Sequence, residues 1–168
     1  EKINLLHKPD NPEEKQRIED AGGHVMSPEE GGGAARVGPV GLAISRSMGA
    51  AWAKSYGVIP DPDLYTRELV REDRILLLGS DGVFEEVPAQ EAMDIVVEKI
   101  KNAKSASYLS LKEAANAVIA RALEVGSSDN LSCVVVYLLH NEHSDTNAFV
   151  SASASVEDQK YSPSVGDR

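Results

Sequence analysis

The sequence predicts an α+β chain with antiparallel strands, and three observations carry that prediction. Two short apolar runs, 74–79 (Arg-Ile-Leu-Leu-Leu-Gly) and 131–139 (Leu-Ser-Cys-Val-Val-Val-Tyr-Leu-Leu), are β-branched or Leu-rich and bounded by turn residues, which marks buried strands. Between them lies a helical stripe, Leu111, Ala114, Ala115, Val118, Ile119, Ala122 and Leu123, at i, i+3, i+4 spacing. Third, Asp81 follows the first strand and Asp129 precedes the second. If the strands are antiparallel neighbours, the end of one and the start of the other share one end of the sheet. Two carboxylates then converge there, with Gly82 permitting close backbone approach, and like charges at that range call for a hard divalent cation.

Taken in order, the elements follow from caps and breakers. Asn11 suits an N-cap, Pro12 the first helical position, and Glu13 and Glu14 the positive end of the helix dipole. That helix runs to about Ala21 and stops at Gly22-Gly23. Residues 27–33, with Pro28 and Gly31-Gly32-Gly33, form a loop. A strand is expected over 40–45 and a short helix over 48–56, ended by Gly57. Pro60 to Asp63 makes a turn, and 64–70 reads as a strand. Pro88 opens a helix to about Ala103, whose apolar face (Ala92, Ile95, Val96, Ile100) is interrupted by Lys99. Ser110 and Glu113 form a capping box for the striped helix, and Gly126 ends it. Beyond His140 the chain turns polar and Ser/Asp-rich without period, so 141–168 is expected to be a disordered tail or linker. Residues 1–140 are then the folded part.

Composition narrows the class. The chain has 168 residues, 42% of them hydrophobic, enough for one domain with a core. A net charge of −10 argues against nucleic-acid or anionic-membrane binding and reads as a solvated acidic surface. Cys133 is the lone cysteine, so no disulfide forms within the chain, and its place in a strand reads as a small buried hydrophobe. No run of ~18 apolar residues spans a membrane, and no basic-then-apolar leader suggests secretion. The start at Glu1, without methionine, reads as a cut piece of something longer. Gly31-Gly32-Gly33 is no phosphate cradle, because no strand leads in and no Gly-Lys-Ser/Thr follows. Trp52 and Tyr56, four apart, read as one packed helix face. Arg46 reads as a buried hydrogen-bonding residue beside Ser45 more than as a phosphate ligand, and Asn130 as a turn former. His24, His140 and His143 share no ligand spacing and read as surface residues.

The order of the pieces carries more than any one of them. His7-Lys8-Pro9-Asp10-Asn11-Pro12-Glu13-Glu14-Lys15 is followed by Arg17-Ile18-Glu19-Asp20-Ala21-Gly22-Gly23, then by Leu42-Ala43-Ile44-Ser45-Arg46-Ser47-Met48-Gly49 and Gly57-Val58-Ile59-Pro60-Asp61-Pro62. Ser80-Asp81-Gly82-Val83-Phe84-Glu85 and Ser128-Asp129-Asn130-Leu131-Ser132 complete the series. From about Leu5 to Leu139 this resembles the C-terminal half of the type 2C protein phosphatases, the metal-dependent (Mg/Mn) Ser/Thr phosphatases. The resemblance implies an antiparallel β-sandwich flanked by helices, with a binuclear Mg²⁺ or Mn²⁺ centre at one end. Asp81 matches the metal-binding aspartate of the family's Ser-Asp-Gly motif, and Asp129 that of its Asp-Asn motif. The implied reaction is hydrolysis of phosphoserine or phosphothreonine in a protein substrate by a metal-activated water, without a phosphoenzyme. The implied setting is intracellular, cytoplasmic or nuclear.

Departures from the family pattern shape the expectation. The family's N-terminal half supplies a bridging aspartate, a phosphate-binding arginine and a histidine proposed as general acid, and nothing here substitutes for them. No catalytic residue is therefore assigned within this chain. Its expected partners are a phosphoprotein substrate and the missing N-terminal half or another chain. Leu6 and Ala50 stand where the family carries aspartates, His7 matches a structural position, and Glu85 lies near an extra acidic metal contact of some members. A haloacid-dehalogenase-type reading fails, since Val83 occupies the place of its second aspartate. Two functions stay open: the C-terminal part of a phosphatase catalytic domain, or a truncated, non-catalytic relative that binds partners or regulates.

Overall fold

The computed structural model describes residues 2–103, 105–139 and 148–156. The chain divides into two compact units, 1–67 and 68–168.

In the first unit, α1 (Pro12–Asp20) starts where the sequence predicts, with Pro12 in the first turn and Glu13 and Glu14 behind it. Asn11 precedes it as the cap position but turns its amide outward to donate to the Leu6 carbonyl, 2.5 Å. The helix ends as Gly22 takes up φ +84°. Two three-residue strands, β1 (His24–Met26) and β2 (Arg36–Gly38), then pair antiparallel with Val25 opposite Val37. The expected loop over 27–33 joins them. The strand expected over 40–45 is absent. Gly41, at φ +73°, turns the chain so that its N–H and the Leu42 carbonyl both close on Val37, leaving one isolated bridge. Residues Ala51–Tyr56 form a 3-10 helix, closed by Gly57 at φ +86°. A Cβ on Gly57 would lie 2.7 Å from the Ile18 Cα, so only glycine lets this turn meet α1. At three residues per turn Trp52 and Tyr56 do not share a face: Tyr56 packs on the core while Trp52 is exposed. Ile18, Val37, Ala53 and Val58 form this unit's buried cluster.

The strand expected over 64–70 is not formed either. Leu64, Tyr65, Leu69 and Val70 are exposed, and no described strand pairs with them. A short segment without a ladder partner does not hold a strand.

The second unit holds β3 (Ile75–Gly79), the single-turn helix α2 (Asp81–Phe84), α3 (Ala89–Asn102), α4 (Tyr108–Glu124), β4 (Leu131–Leu139) and β5 (Ala148–Val156). The sheet order is β3-β4-β5, antiparallel throughout, with Leu77 opposite Val135 and Gly79 opposite Cys133. Alternation in β4 sends Leu131, Cys133 and Val135 into a core shared with Val83, Val96, Leu111, Ala115 and Val118. Burial pushes the Cys133 thiol up to about 11, in keeping with a packing role. Two expectations are corrected in this unit. The N-cap of α4 is Ser107, whose Oγ accepts the Ser110 N–H while the Ser110 Oγ accepts the Ser107 N–H. Ser110 is thus the third helical residue of a Ser/Ser capping box, and Glu113 takes no part in it. The expectation of a disordered tail from 141 is overturned for 148–156, which form β5 along the whole of β4, Leu131 opposite Val156 and Leu139 opposite Ala148. Its Ser/Ala alternation is a weak strand signal, and the open edge of β4 supplies the hydrogen bonds that the pattern alone does not announce. The remainder of that predicted tail, 141–147 and 157–168, lies outside the described residues.

Candidate metal site

Both acidic turns grow from the β3–β4 ladder. Because Gly79 faces Cys133, the end of β3 and the beginning of β4 meet at one end of the sheet. Ser80 extends the pairing by one residue, donating its N–H to the Ser132 carbonyl at 3.0 Å. Its Oγ donates to the Asn130 carbonyl and accepts the Ser132 N–H, both at 3.1 Å. On the other side of Asp81, the Gly82 carbonyl accepts the Ser127 hydroxyl at 2.7 Å. The turns that carry Asp81 and Asp129 therefore lie side by side at one end of the sheet, as antiparallel pairing of β3 and β4 requires.

Gly82 shows how close the turns are. A Cβ there would lie 2.6 Å from the Asn130 carbonyl oxygen and 3.2 Å from the Asp129 Cβ. Backbone cannot swing aside as a flexible side chain can. Gly82→Ala is expected to force the turns apart and lower stability by about 1–3 kcal/mol, read as a lower urea midpoint.

Each aspartate accepts the N–H of the following residue: Gly82 to Asp81 Oδ1 at 3.0 Å, Asn130 to Asp129 Oδ1 at 2.7 Å. These contacts orient the carboxylates, and both residues are solvent-exposed. A shallow cavity of about 300 Å³ opens beside Asp129, lined by Gly82, Glu85, Glu86, Ser127, Ser128 and Asp129; Asp81 is not among its lining residues. Carboxylate and carbonyl oxygens are the hard donors that Mg²⁺ and Mn²⁺ take. The donor set thus fits such an ion in kind. Among the described residues, no group of three or more His, Cys, Asp or Glu is gathered as a metal centre, so it does not fill a coordination shell.

A second polar cluster lies in the first unit, and its centre is a residue that sequence reasoning placed only as a dipole-compensating acid. Glu14 is 4% exposed. Its carboxylate accepts from Arg17 Nη2 at 2.7 Å, Arg46 Nη2 at 2.6 Å, Arg46 Nε at 3.0 Å and the Ser45 hydroxyl. Burial pushes Glu14 up, but the hydrogen bonds from Arg17, Arg46 and Ser45 outweigh it and hold the carboxyl well below the usual carboxylate range. Arg46 also donates to the Asp61 carbonyl at 3.0 Å and to Asp63 Oδ1 at 2.7 Å, which bears out the structural reading of that arginine. His7 Nε2 sits 2.8 Å from Asp63 Oδ2. The hydrogen bonds from His7 and then Arg46 hold Asp63 below its ordinary value. Ala50 is a non-glycine residue at φ +45°, a conformation aspartate and asparagine tolerate better than alanine.

The protein phosphatase 2C family matches residues 2–131. The chain is 40% identical over 138 residues to probable protein phosphatase 2C 45 of Oryza sativa subsp. japonica, covering 82% of this chain and 44% of that protein. It is 35% identical over 161 residues to probable protein phosphatase 2C 69 of Arabidopsis thaliana, covering 96% and 41%. The chain thus spans less than half the length of these relatives. Among solved structures it is similar to a serine-threonine phosphatase 2C from Toxoplasma gondii, with TM-score 0.70, 24% identity and coverage of 82% and 46%. A second phosphatase, from a pathogenic strain of Toxoplasma gondii, aligns with TM-score 0.64 at 28% identity, covering 88% and 44%. The structural likeness establishes the α+β fold of helices and antiparallel sheets that the sequence predicts. With the family match extending from the first described residue to the start of β4, the chain belongs to the protein phosphatase 2C family.

Proposed function

We propose that this chain is the C-terminal part of the catalytic domain of a metal-dependent protein serine/threonine phosphatase, with Asp81 and Asp129 as ligands to Mg²⁺ or Mn²⁺ and a phosphoprotein as substrate. The convergence of those two aspartates at one end of the β3–β4 pair carries the reading. Electrostatics supports it: a phosphoester approaching a cavity lined by Glu85, Glu86 and Asp129 meets only negative charge. A divalent cation held by Asp81 and Asp129 would reverse that sign. When bound, the metal supplies positive charge that lowers the pKa of a water and neutralises the phosphoryl oxygens. The chain's own part is to present oxygens at Asp81 and Asp129 in an orientation fixed by the Gly82 and Asn130 N–H groups. Among the described residues no helix is long and apolar enough to cross a membrane.

Ala50 favours a second reading, a non-catalytic relative acting as a binding or regulatory module. A side chain that cannot accept a hydrogen bond sits there in a left-handed turn. One experiment separates the two. Residues 1–168 alone should give no detectable hydrolysis of p-nitrophenyl phosphate with Mn²⁺, because two aspartates leave most of about six coordination positions to water. Joining the chain to a family-type N-terminal half should restore Mn²⁺-dependent turnover. Turnover by residues 1–168 alone, lost in Asp129→Asn, would overturn the incomplete-site reading. A joined protein that gains activity only with Ala50→Asp would support the non-catalytic one.

A further inference from the structure

The two aspartate turns are tied to each other by side-chain hydroxyls on both flanks, and neither hydroxyl touches a carboxylate. Ser80 immediately precedes Asp81, and its Oγ donates to the carbonyl of Asn130, the residue that follows Asp129. The same oxygen accepts the Ser132 N–H. Ser127 lies just before Ser128 and Asp129, and its Oγ donates to the carbonyl of Gly82, the residue that follows Asp81. Each aspartate is thereby bracketed by one outgoing and one incoming bond to the other's turn. The ladder itself stops at Gly79 opposite Cys133, so beyond it these bonds and the Ser80 N–H to Ser132 carbonyl bond hold the turns in register.

We infer that Ser80 and Ser127 are positioning residues, whose hydroxyls set the separation of Asp81 and Asp129 for a shared divalent cation. The inference rests on the metal reading proposed above. Two carboxylates close enough to share an ion repel one another when the ion is absent. Attractive contacts must offset that repulsion, and to the backbone bond from the Ser80 N–H to the Ser132 carbonyl the two hydroxyls add theirs from outside the coordination sphere. Gly82 allows the approach and its carbonyl receives the Ser127 hydroxyl; the serines supply the donors.

The test is a Mn²⁺ titration of the 168-residue chain, following paramagnetic broadening of the Gly82 and Asn130 amide signals by NMR. The unaltered chain should show both signals broadening together, with an apparent Kd in the millimolar range, an order-of-magnitude value for a carboxylate-poor site. Ser80→Ala and Ser127→Ala should each raise that Kd about 10-fold, the lower end of what outer-shell contacts contribute. Ser80→Thr and Ser127→Thr, which keep the hydroxyl, should return it towards the original value. Ser107→Ala, which removes a helix-cap bond away from the site, serves as the measure of destabilisation alone and should leave the Kd unchanged. Kd values for both alanine variants within twofold of the unaltered chain would overturn the inference, as would a Ser107→Ala effect as large as theirs. Asp129→Asn keeps the two failures apart. If it too leaves the titration unchanged, the metal reading falls; if it alone abolishes binding, the aspartates stand and the serine assignment falls.

Discussion

Glu14→Ala is expected to lower stability by about 3–5 kcal/mol, the usual cost of stripping one partner from a buried ion pair. A domain's whole stability is about 5–15 kcal/mol, so unfolding of the first unit at physiological temperature is within reach. Glu14 is 4% exposed, and its carboxylate receives two guanidinium groups and a hydroxyl. Removing it leaves Arg17 and Arg46 half-buried without their shared acceptor, while α1 loses its tie to the Ser45–Arg46 segment. Glu14→Gln keeps the shape and one acceptor oxygen, so it should lie between alanine and the original residue. The pH dependence has a definite sign. Glu14's folded carboxyl is held below its ordinary value of 4.5, so its contribution is complete above that value and is lost as pH falls towards the depressed folded value. The gap between the unaltered protein and Glu14→Gln should therefore be widest near neutral pH and shrink below about pH 4. Urea melts at both pH values, followed by far-ultraviolet circular dichroism, would measure it. A gap under about 1 kcal/mol at neutral pH, or one that grows in acid, would refute the assignment.

In a protein that joins this chain to a family-type N-terminal half, Asp81→Asn and Asp129→Asn should each cut Mn²⁺-dependent turnover by at least about 100-fold. Loss of contacts merely supporting a metal ligand costs 10–100-fold, and loss of the ligand's charge costs more. The substitution is chosen because it spares the fold. Asparagine retains an oxygen that accepts the same backbone N–H, from Gly82 in one turn and from Asn130 in the other. It also removes like-charge repulsion, so without metal the melting temperature should hold or rise slightly. Stability retained with activity lost would place both residues in the chemistry. Equal loss of stability and activity would make them turn formers only.

What could be read without coordinates was whatever local periodicity and end chemistry encode. β3, β4, α3 and the stripe of α4 have apolar runs or stripes long enough to read, while α1, with Ile18 nearly alone as an apolar residue, shows itself by Asn11 and Pro12 at its start and Gly22-Gly23 at its end. The convergence of Asp81 and Asp129 followed from those strands plus the geometry of antiparallel pairing. Three-residue β1 and β2 are too short to display a period, and β5 alternates alanine with serine too weakly to stand out from a polar tail. All three exist because another edge is there to pair with. For the same reason 40–45 and 64–70, which have suitable composition, are not strands: among the described residues 40–45 finds only an isolated bridge from Leu42 to Val37, and no described strand pairs with 64–70. Ser107 outcompeted Ser110 as the cap because its backbone is extended at the helix entrance, a choice between two serines that composition cannot make. Glu13 and Glu14 look equivalent in sequence, neighbouring acids in a first helical turn. One is exposed and the other gathers Ser45, Arg17 and Arg46, because successive helical residues point about 100° apart and only the second faces the segment that returns some thirty residues later.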